Sequence, residues 1–422
     1  IFLGTGIWVA LSMVGVSAIG MMLFTSRPVG DAMATTIWGT SSSWTLTALP
    51  LFVWMGEILF RTKLSENLFK GLAPWMSRLP GGLIHVNVVG CALFAAISGS
   101  SAATVATVGK MSIPELRKRN YPEKLLLGSL AGSGTLGLLI PPSIILIIYG
   151  VTVQESIAKL FIAGIIPGIM IAIFFMFYVI GWSMLNKNIM PKMNETFSFS
   201  QKIKQSGQLI PIIVLIVAVI GSIYVGIATA TEAASLGVVG ALILSFFQKS
   251  LNKETFKLSL LGATKTSCMI AFILAGGAFL TMSMGFTGLP RSIAEWIGEL
   301  GLSNIQLLLC LMVFYIVLGC FLDGISSIVL TMAVIEPMIR NAGIDVIWFG
   351  IYLTVLVEMA QITPPVGFNL FVLQGMTKHE MLFLAKSALP MFLMMVVMVF
   401  IMMAFPELAT YLPSTIRGPG AG

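Results

Sequence analysis

Helix-breaking, oxygen-rich residues interrupt the apolar runs of this chain at two places. Ser98, Gly99, Ser100 and Ser101 form the first, and Gly132, Ser133, Gly134 and Thr135 begin a second that ends in Pro141-Pro142. One constant offset carries Ser100 onto Asp323, Ser101 onto Gly324, Pro114 onto Pro337, Arg117 onto Arg340, and Pro141-Pro142 onto Pro364-Pro365. The later copy therefore reads Asp323, Gly324, Ile325, Ser326, Ser327, followed by Gln361, Ile362, Thr363, Pro364, Pro365. Unwinding a helix in hydrocarbon frees N–H and C=O groups that are costly if unsatisfied, so such breaks must line a protein-enclosed or wet site. Freed carbonyls and half-helix C-termini suit a desolvated alkali cation, whereas half-helix N-termini suit a carboxylate. Each break thus offers a cation site beside an anion site.

Two sodium sites follow as an expectation. The first uses Ser98 and Ser100 with backbone from Gly132 to Thr135, and the second uses Gly324 and Ser326 with backbone around Gln361 and Thr363. Candidate substrate contacts are Ser101, Pro141, Asp323, Pro364 and Asn369. The plainer reading of any one motif is close helix packing through small residues; pairing of a tip with a break in both halves favours the ion sites. Asp323 stands where the first copy has Ser100 and is either a site residue or a helix cap. Glu358, offset from Thr135, is open between a structural partner of a polar neighbour and a site residue. Asn87, Gln361 and Asn369 also suit interhelical hydrogen bonds.

Composition sets the solvent. The 422 residues are 57% hydrophobic and only 10% charged, with mean hydropathy +0.98, which implies an all-α polytopic membrane protein. Cys91, Cys268, Cys310 and Cys320 lie in apolar stretches without Cys-x-x-Cys spacing and read as small buried hydrophobes. The sequence has no Walker A loop, no His-Glu-x-x-His and no Gly-x-Ser-x-Gly beside a membrane histidine, so an enzyme is not expected. A transporter without a nucleotide motif must draw on an ion gradient.

The expected order is a first span and outer loop over 1–43, then a first repeat over 44–185. That repeat holds a scaffold span, an amphipathic interfacial stretch at 61–78, a re-entrant hairpin at 82–113, a broken span at 125–150 and a span at 160–185. Connecting helices and basic loops occupy 186–265, with a basic loop at 249–265. A second repeat fills 266–405, with an amphipathic stretch at 291–301, a hairpin at 304–337, a broken span at 346–373 and a final span. Residues 406–422 form a tail. All lysines and arginines except Arg27, Lys159, Arg291, Arg340 and Arg417 then fall on one side, which is expected to be cytoplasmic, with the C-terminus periplasmic. The net charge of +7 is accounted for by anionic headgroups, without nucleic acid. The hairpins open to opposite sides, so the halves are inverted repeats, an arrangement suited to alternating access.

The run from Ile97 to Thr104, the Gly-Thr-Leu-Gly-Leu-Leu-Ile-Pro-Pro-Ser from Gly134 to Ser143, and the Gln-Ile-Thr-Pro-Pro-Val-Gly-Phe-Asn from Gln361 to Asn369 together resemble the large membrane subunit of tripartite ATP-independent periplasmic (TRAP) transporters. The resemblance covers nearly the whole chain. It implies an elevator-type ion-transporter fold and a sodium-driven importer of organic acids, such as sialic acid or C4-dicarboxylates, in a bacterial inner membrane. Its partners would be a small four-helix membrane subunit, expected as a separate chain, and a periplasmic substrate-binding protein. Glu232 and Arg291 would be candidates for docking that protein. A sodium and organic-anion symporter working alone is the alternative.

Overall fold

The computed structural model describes residues 6–62, 64–191, 198–299, 301–365 and 367–415. Lys63, Lys192 and Arg417 of the charge layout and Val366 of the second Pro-Pro motif lie outside them, as do the side chains of Leu64 and Glu66. Every regular element among the described residues is helical.

The chain begins with α1 (Val9–Phe24), α2 (Val29–Ser41), a 3-10 turn at Trp44–Thr47, α3 (Ala48–Phe60) and α4 (Leu64–Met76). The expected loop at 27–43 is therefore mostly helix. Asp31 stands in the first turn of α2, where the helix dipole favours an acid, and α2 meets the following stretch at a bend of 52°. Helix α4 buries Leu68 and Leu72, while the Trp75 indole donates to Ser206 Oγ at 2.7 Å.

The first hairpin is α5 (Ile84–Ser98) and α6 (Ser101–Lys118). At 15 and 18 residues its arms rise about 22 and 27 Å, short of a hydrocarbon core about 30 Å thick. The chain reverses at Gly99, whose φ of +59° lies in the left-handed region. The broken span follows as α7 (Glu123–Gly134), a single turn α8 (Leu136–Leu139) and α9 (Ile144–Val153), and α10 (Ile157–Leu185) is continuous.

The connecting region holds α11 (Phe199–Ser206), α12 (Ile210–Tyr224) and α13 (Ala230–Phe247). Next comes α14 (Lys253–Thr287), 35 residues long, which replaces the expected basic loop at 249–265 with helix. Asn252 caps it by accepting from the Thr255 N–H at 2.7 Å. No Gly or Pro interrupts its first two turns. At about 53 Å it exceeds the bilayer core, so its charged first turns extend beyond the apolar region.

The second repeat has α15 (Leu289–Glu299), a hairpin of α16 (Asn304–Gly319) and α17 (Gly324–Asn341), a broken span of α18 (Val346–Gln361) and α19 (Phe368–Thr377), and α20 (Met381–Ala404). The tail contains one more helix, α21 (Glu407–Ser414). Among the described residues, five helices are long and apolar enough to cross a membrane, counting the broken span 123–153 as one, or seven if each bent pair counts as one span. Exposed Trp8, Phe24, Phe177, Val217, Phe247 and Phe400 line the surface, as lipid-facing residues do. The four cysteines are free, but Cys268 and Cys310 are exposed and not buried as expected; on apolar helices such positions face lipid at little cost.

Helix boundaries repeat at the sequence offset. Ser101–Lys118 corresponds to Gly324–Asn341, and both α7 and α18 begin at matching positions. Both Pro-Pro bonds are cis. The repeats also interlock: α19 of the second packs on α6 of the first, and α9 of the first on α17 of the second. Each hairpin base is tied to the loop after the other repeat's broken span. Arg117 pairs with Glu123, which meets His379 Nε2 at 3.0 Å, while Arg340 reaches Glu155 at 3.5 Å.

Candidate functional site

The first tip is built around its own hydroxyls. Ser98 Oγ lies 2.9 Å from Thr104 Oγ1, and Thr104 Oγ1 donates to the Ser100 carbonyl at 2.8 Å. Ser100 Oγ caps α6 by accepting from the Ala103 N–H at 3.4 Å. This tip is pressed into the first break. A Cβ on Gly99 would stand 2.8 Å from the Pro142 carbonyl oxygen, and one on Gly137 would stand 2.7 Å from the Ser100 carbonyl and the Ser101 Cα. Two backbones can approach this closely only because those residues carry no side chain. Pro141, Pro142 and Ser143 are buried, and the Ser143 hydroxyl donates to the Leu138 carbonyl across the break.

The expected first-site residues divide. Ser98, Ser100 and Ser101 converge at the tip, Gly137 faces it from the break, and Gly134 faces Val105 one turn farther along α6. Gly132 faces Met391 of α20 instead. Thr135 donates to the Gly132 carbonyl at 2.6 Å and lies 3.7 Å from Met395 Sδ, so it also points toward α20. Helical periodicity explains the division, since 132 and 135 share one face while 134 and 137 share another. From the sequence, Gly137 is expected, with Gly99, Gly132, Gly134 and Gly324, to permit unusual backbone angles; of the five only Gly99 has a positive φ, and Gly137 serves instead the close approach of break to tip.

Residues from the other repeat complete the first site. Asn369 is fully buried, lies near Gly134, and donates to the Ala131 carbonyl at 3.5 Å. Ser101 Oγ is 2.6 Å from Glu358 Oε1, so the hairpin of one repeat is bonded to the broken span of the other. Glu358 is 1% exposed. The structure makes it at least a partner of a polar neighbour.

The second tip is more open. Gly324 faces Val357 and the Gln361 amide, which brings two of the expected second-site residues together. Ser326 and Ser327 are buried. Thr363 is turned away and donates to the Met359 carbonyl at 2.7 Å. Asp323 is exposed and caps α17, its Oδ2 accepting from Ile325 N–H at 3.1 Å and Ser326 N–H at 3.2 Å. Pro364 and Pro365 are exposed. Gly367 closes the break so tightly that a Cβ would meet the Gln361 and Thr363 carbonyls at 2.9 Å.

Ser133 Oγ, Ser326 Oγ, Ser327 Oγ and Asn369 Oδ1 are buried without a hydrogen-bond partner among the described residues. Such groups around two helix breaks are neutral oxygen donors of the kind an alkali cation takes. Glu232 and Arg291 have local jobs. Glu232 completes a capping box on α13, accepting from the Thr229 N–H at 2.8 Å, and Arg291 pairs with Glu295 at 2.8 Å on the exposed face of α15.

A family model described as tripartite ATP-independent periplasmic transporter, DctM component, matches residues 1–408. A C4-dicarboxylate TRAP transporter large permease protein from Pseudomonas aeruginosa is 32% identical, with 94% of this chain and 92% of that protein covered. The ectoine TRAP transporter large permease of Halomonas elongata is 31% identical over 87% of this chain and 86% of its own, and a 2,3-diketo-L-gulonate TRAP large permease of Escherichia coli is 30% identical over 89% and 88%. The crystal structure of the Alcanivorax borkumensis YdaH transporter shares the fold, with TM-score 0.69 over 95% of this chain and 98% of that one at 12% identity.

Proposed function

This chain belongs to the DctM component family of tripartite ATP-independent periplasmic transporters, and from that premise we propose that it is the translocating subunit of a sodium-driven organic-acid importer in a bacterial inner membrane. The observation that carries this reading is the pair of tip-and-break sites in interlocked inverted repeats, ringed by buried neutral oxygens. Sodium would be held by Ser98, Ser100 and the carbonyls of the first break, and by Gly324, Ser326 and Gln361 at the second. The freed N–H groups of the breaks would face the carboxylate of the substrate. Sialic acid and C4-dicarboxylates are the classes proposed. Relatives named for a dicarboxylate, ectoine and a sugar acid lie within two points of identity of one another, so overall similarity does not select among substrates.

Hairpins and broken spans would move together as an elevator against a frame containing α3, α12, α13 and α14. The amphipathic helices α4 and α15 would belong to the static frame; in support, α4 packs on α3 as well as on the first hairpin, and α15 on α14 as well as on the second hairpin. A small four-helix membrane subunit and a periplasmic binding protein would complete the system, the latter docking on the face that carries Glu232 and Arg291, with the C-terminus on that same side.

Reconstitution tests the reading. In liposomes holding this chain and its small subunit, an imposed sodium gradient should drive accumulation of an organic acid only when the loaded binding protein is present outside. Uptake of the free acid by this chain alone would instead establish a stand-alone sodium and organic-anion symporter.

A further inference from the structure

Apart from the two breaks, a cavity of about 390 Å³ opens between the turn that joins α4 to α5 and the last turn of α10. Its walls include Ser77, Pro80, Gly81, Ser183, Met184 and Lys187, none of which belongs to an expected ion or substrate site. Ser183 lines it although only 4% exposed, and its Oγ has no hydrogen-bond partner among the described residues. Serines of other helices bond a carbonyl one turn back, as Ser206, Ser245 and Ser387 do. A Cβ on Gly81, whose φ is +101°, would stand 3.1 Å from Ser183 Oγ, so only a bare glycine fits beside that hydroxyl.

Lys187 is exposed at the rim of the cavity, and Arg78 is exposed between the lining residues Ser77 and Leu79. Neither cation enters an ion pair among the described residues, and no acid is among the residues that line the cavity. A hydroxyl without a partner beside uncommitted cations suits an oxyanion such as a phosphate. The apolar surface of α10 leads to the same place. Its exposed Ile169, Ile173, Phe177 and Met184 follow helical spacing and share one face, and Met184 both ends that stripe and lines the cavity. Between Phe177 and Met184, Gly181 has nothing within 4 Å of the place a Cβ would take. A lipid-facing stripe that ends at a cationic cavity fits a molecule with an acyl chain and an anionic head, whereas free phosphate would use only the cavity.

We propose that this cavity binds an anionic phospholipid, its phosphate accepting hydrogen bonds from Ser183 Oγ and Lys187 Nζ and one acyl chain lying along Phe177 and Met184. The cavity is on the side that carries most of the lysines and arginines, where anionic headgroups are drawn to basic segments. Helix α10 packs on α5, α7, α8 and α9, so a lipid held there sits with the hairpin and broken span of the first repeat. The site goes beyond the sodium-driven reading and shares none of its residues.

Native mass spectrometry tests the site on the purified full chain, delipidated and then given equal amounts of dioleoylphosphatidylglycerol and dioleoylphosphatidylcholine. Wild type should retain the phosphatidylglycerol in preference. Lys187→Ala should lower its retention about fivefold and Ser183→Ala about threefold, while Lys187→Arg should keep it. Lys204→Ala, which removes an exposed cation from α11 on the same side, should leave it at the wild-type level. Equal retention of the two lipids, or the same loss for Lys204→Ala as for Lys187→Ala, would overturn the proposal. So would displacement of the lipid by inorganic phosphate but not by chloride at equal ionic strength, which would mark a site for the free anion. Melting in phosphatidylcholine alone, within about 2 °C of wild type for each variant, separates lost binding from lost folding. Should Ser183→Ala melt lower, the Lys187→Ala and Lys187→Arg pair, altered only at an exposed position, still decides. None of these readouts depends on uptake, so failure of the transport reading and failure of the lipid site are separately visible.

Discussion

The two repeats share helix boundaries at one offset yet differ in how their tips are held. The first tip is wedged backbone to backbone against Gly137 and Pro142, hydrogen-bonded internally through Ser98 and Thr104, and fastened to the other repeat through Glu358. The second tip is capped by its own Asp323 and leaves Asp323, Pro364 and Pro365 exposed. Substitution at matched positions explains much of this. Where the first break has Gly137, the second has Ala360, whose Cβ faces Gly319 of the opposing arm. Where the first tip has a serine that caps with one hydrogen bond, the second has a carboxylate that caps with two. A tip that caps itself needs less from its neighbours, so the same backbone plan yields one fixed and one self-sufficient end.

Filling the tip contacts should separate the repeats most strongly. Gly137→Val drives a side chain into the backbone of Ser100 and Ser101, which cannot yield, and should destabilise by about 3 kcal/mol. Gly324→Val meets the Val357 side chain and not backbone, and should cost less, about 2 kcal/mol. Thermal unfolding in detergent measures both, and equal losses would deny that the first tip is the more tightly held. A smaller contrast is expected at the caps. Asp323→Ala should cost about 1 kcal/mol and Asp323→Asn much less, while Ser100→Ala, losing one long hydrogen bond, should cost less than Asp323→Ala. The reverse order in the same melting assay would assign Asp323 no capping role.

The smallest effect belongs to the hairpin bases. Arg117→Ala and Arg340→Ala each remove partly exposed ion pairs and should cost at most about 1 kcal/mol, less in high salt. A salt-independent loss at either position would mean that base is more deeply packed than its exposure indicates.

The repeat itself was legible in sequence, because helix-breaking pairs such as Pro141-Pro142 and Pro364-Pro365 constrain the backbone wherever they stand. Hairpins, broken spans and the continuous α10, α13 and α20 were also readable, since apolar length reports directly on helix placement. The helices at 29–41 and 407–414 were less visible, being polar or short, and the first turns of α14 were masked by their charges. At the site, the convergence of Ser98, Ser100 and Ser101 followed from their adjacency at a tip. The direction of Thr135 and Thr363 did not, because a side chain near a helix break can satisfy itself on a carbonyl of the preceding turn.

By itself the sequence determined a polytopic helical protein with two inverted, broken repeats, since hydropathy, prolines and basic residues act locally and need no partner to be read. Only the tertiary structure decided which residues of the two repeats meet. Ser101 and Glu358, Asn369 and Gly134, Arg340 and Glu155 are each separated by most of a repeat or more. Their contacts depend on how two interlocked halves pack, a choice made by the fit of glycine-lined surfaces and not by any local preference.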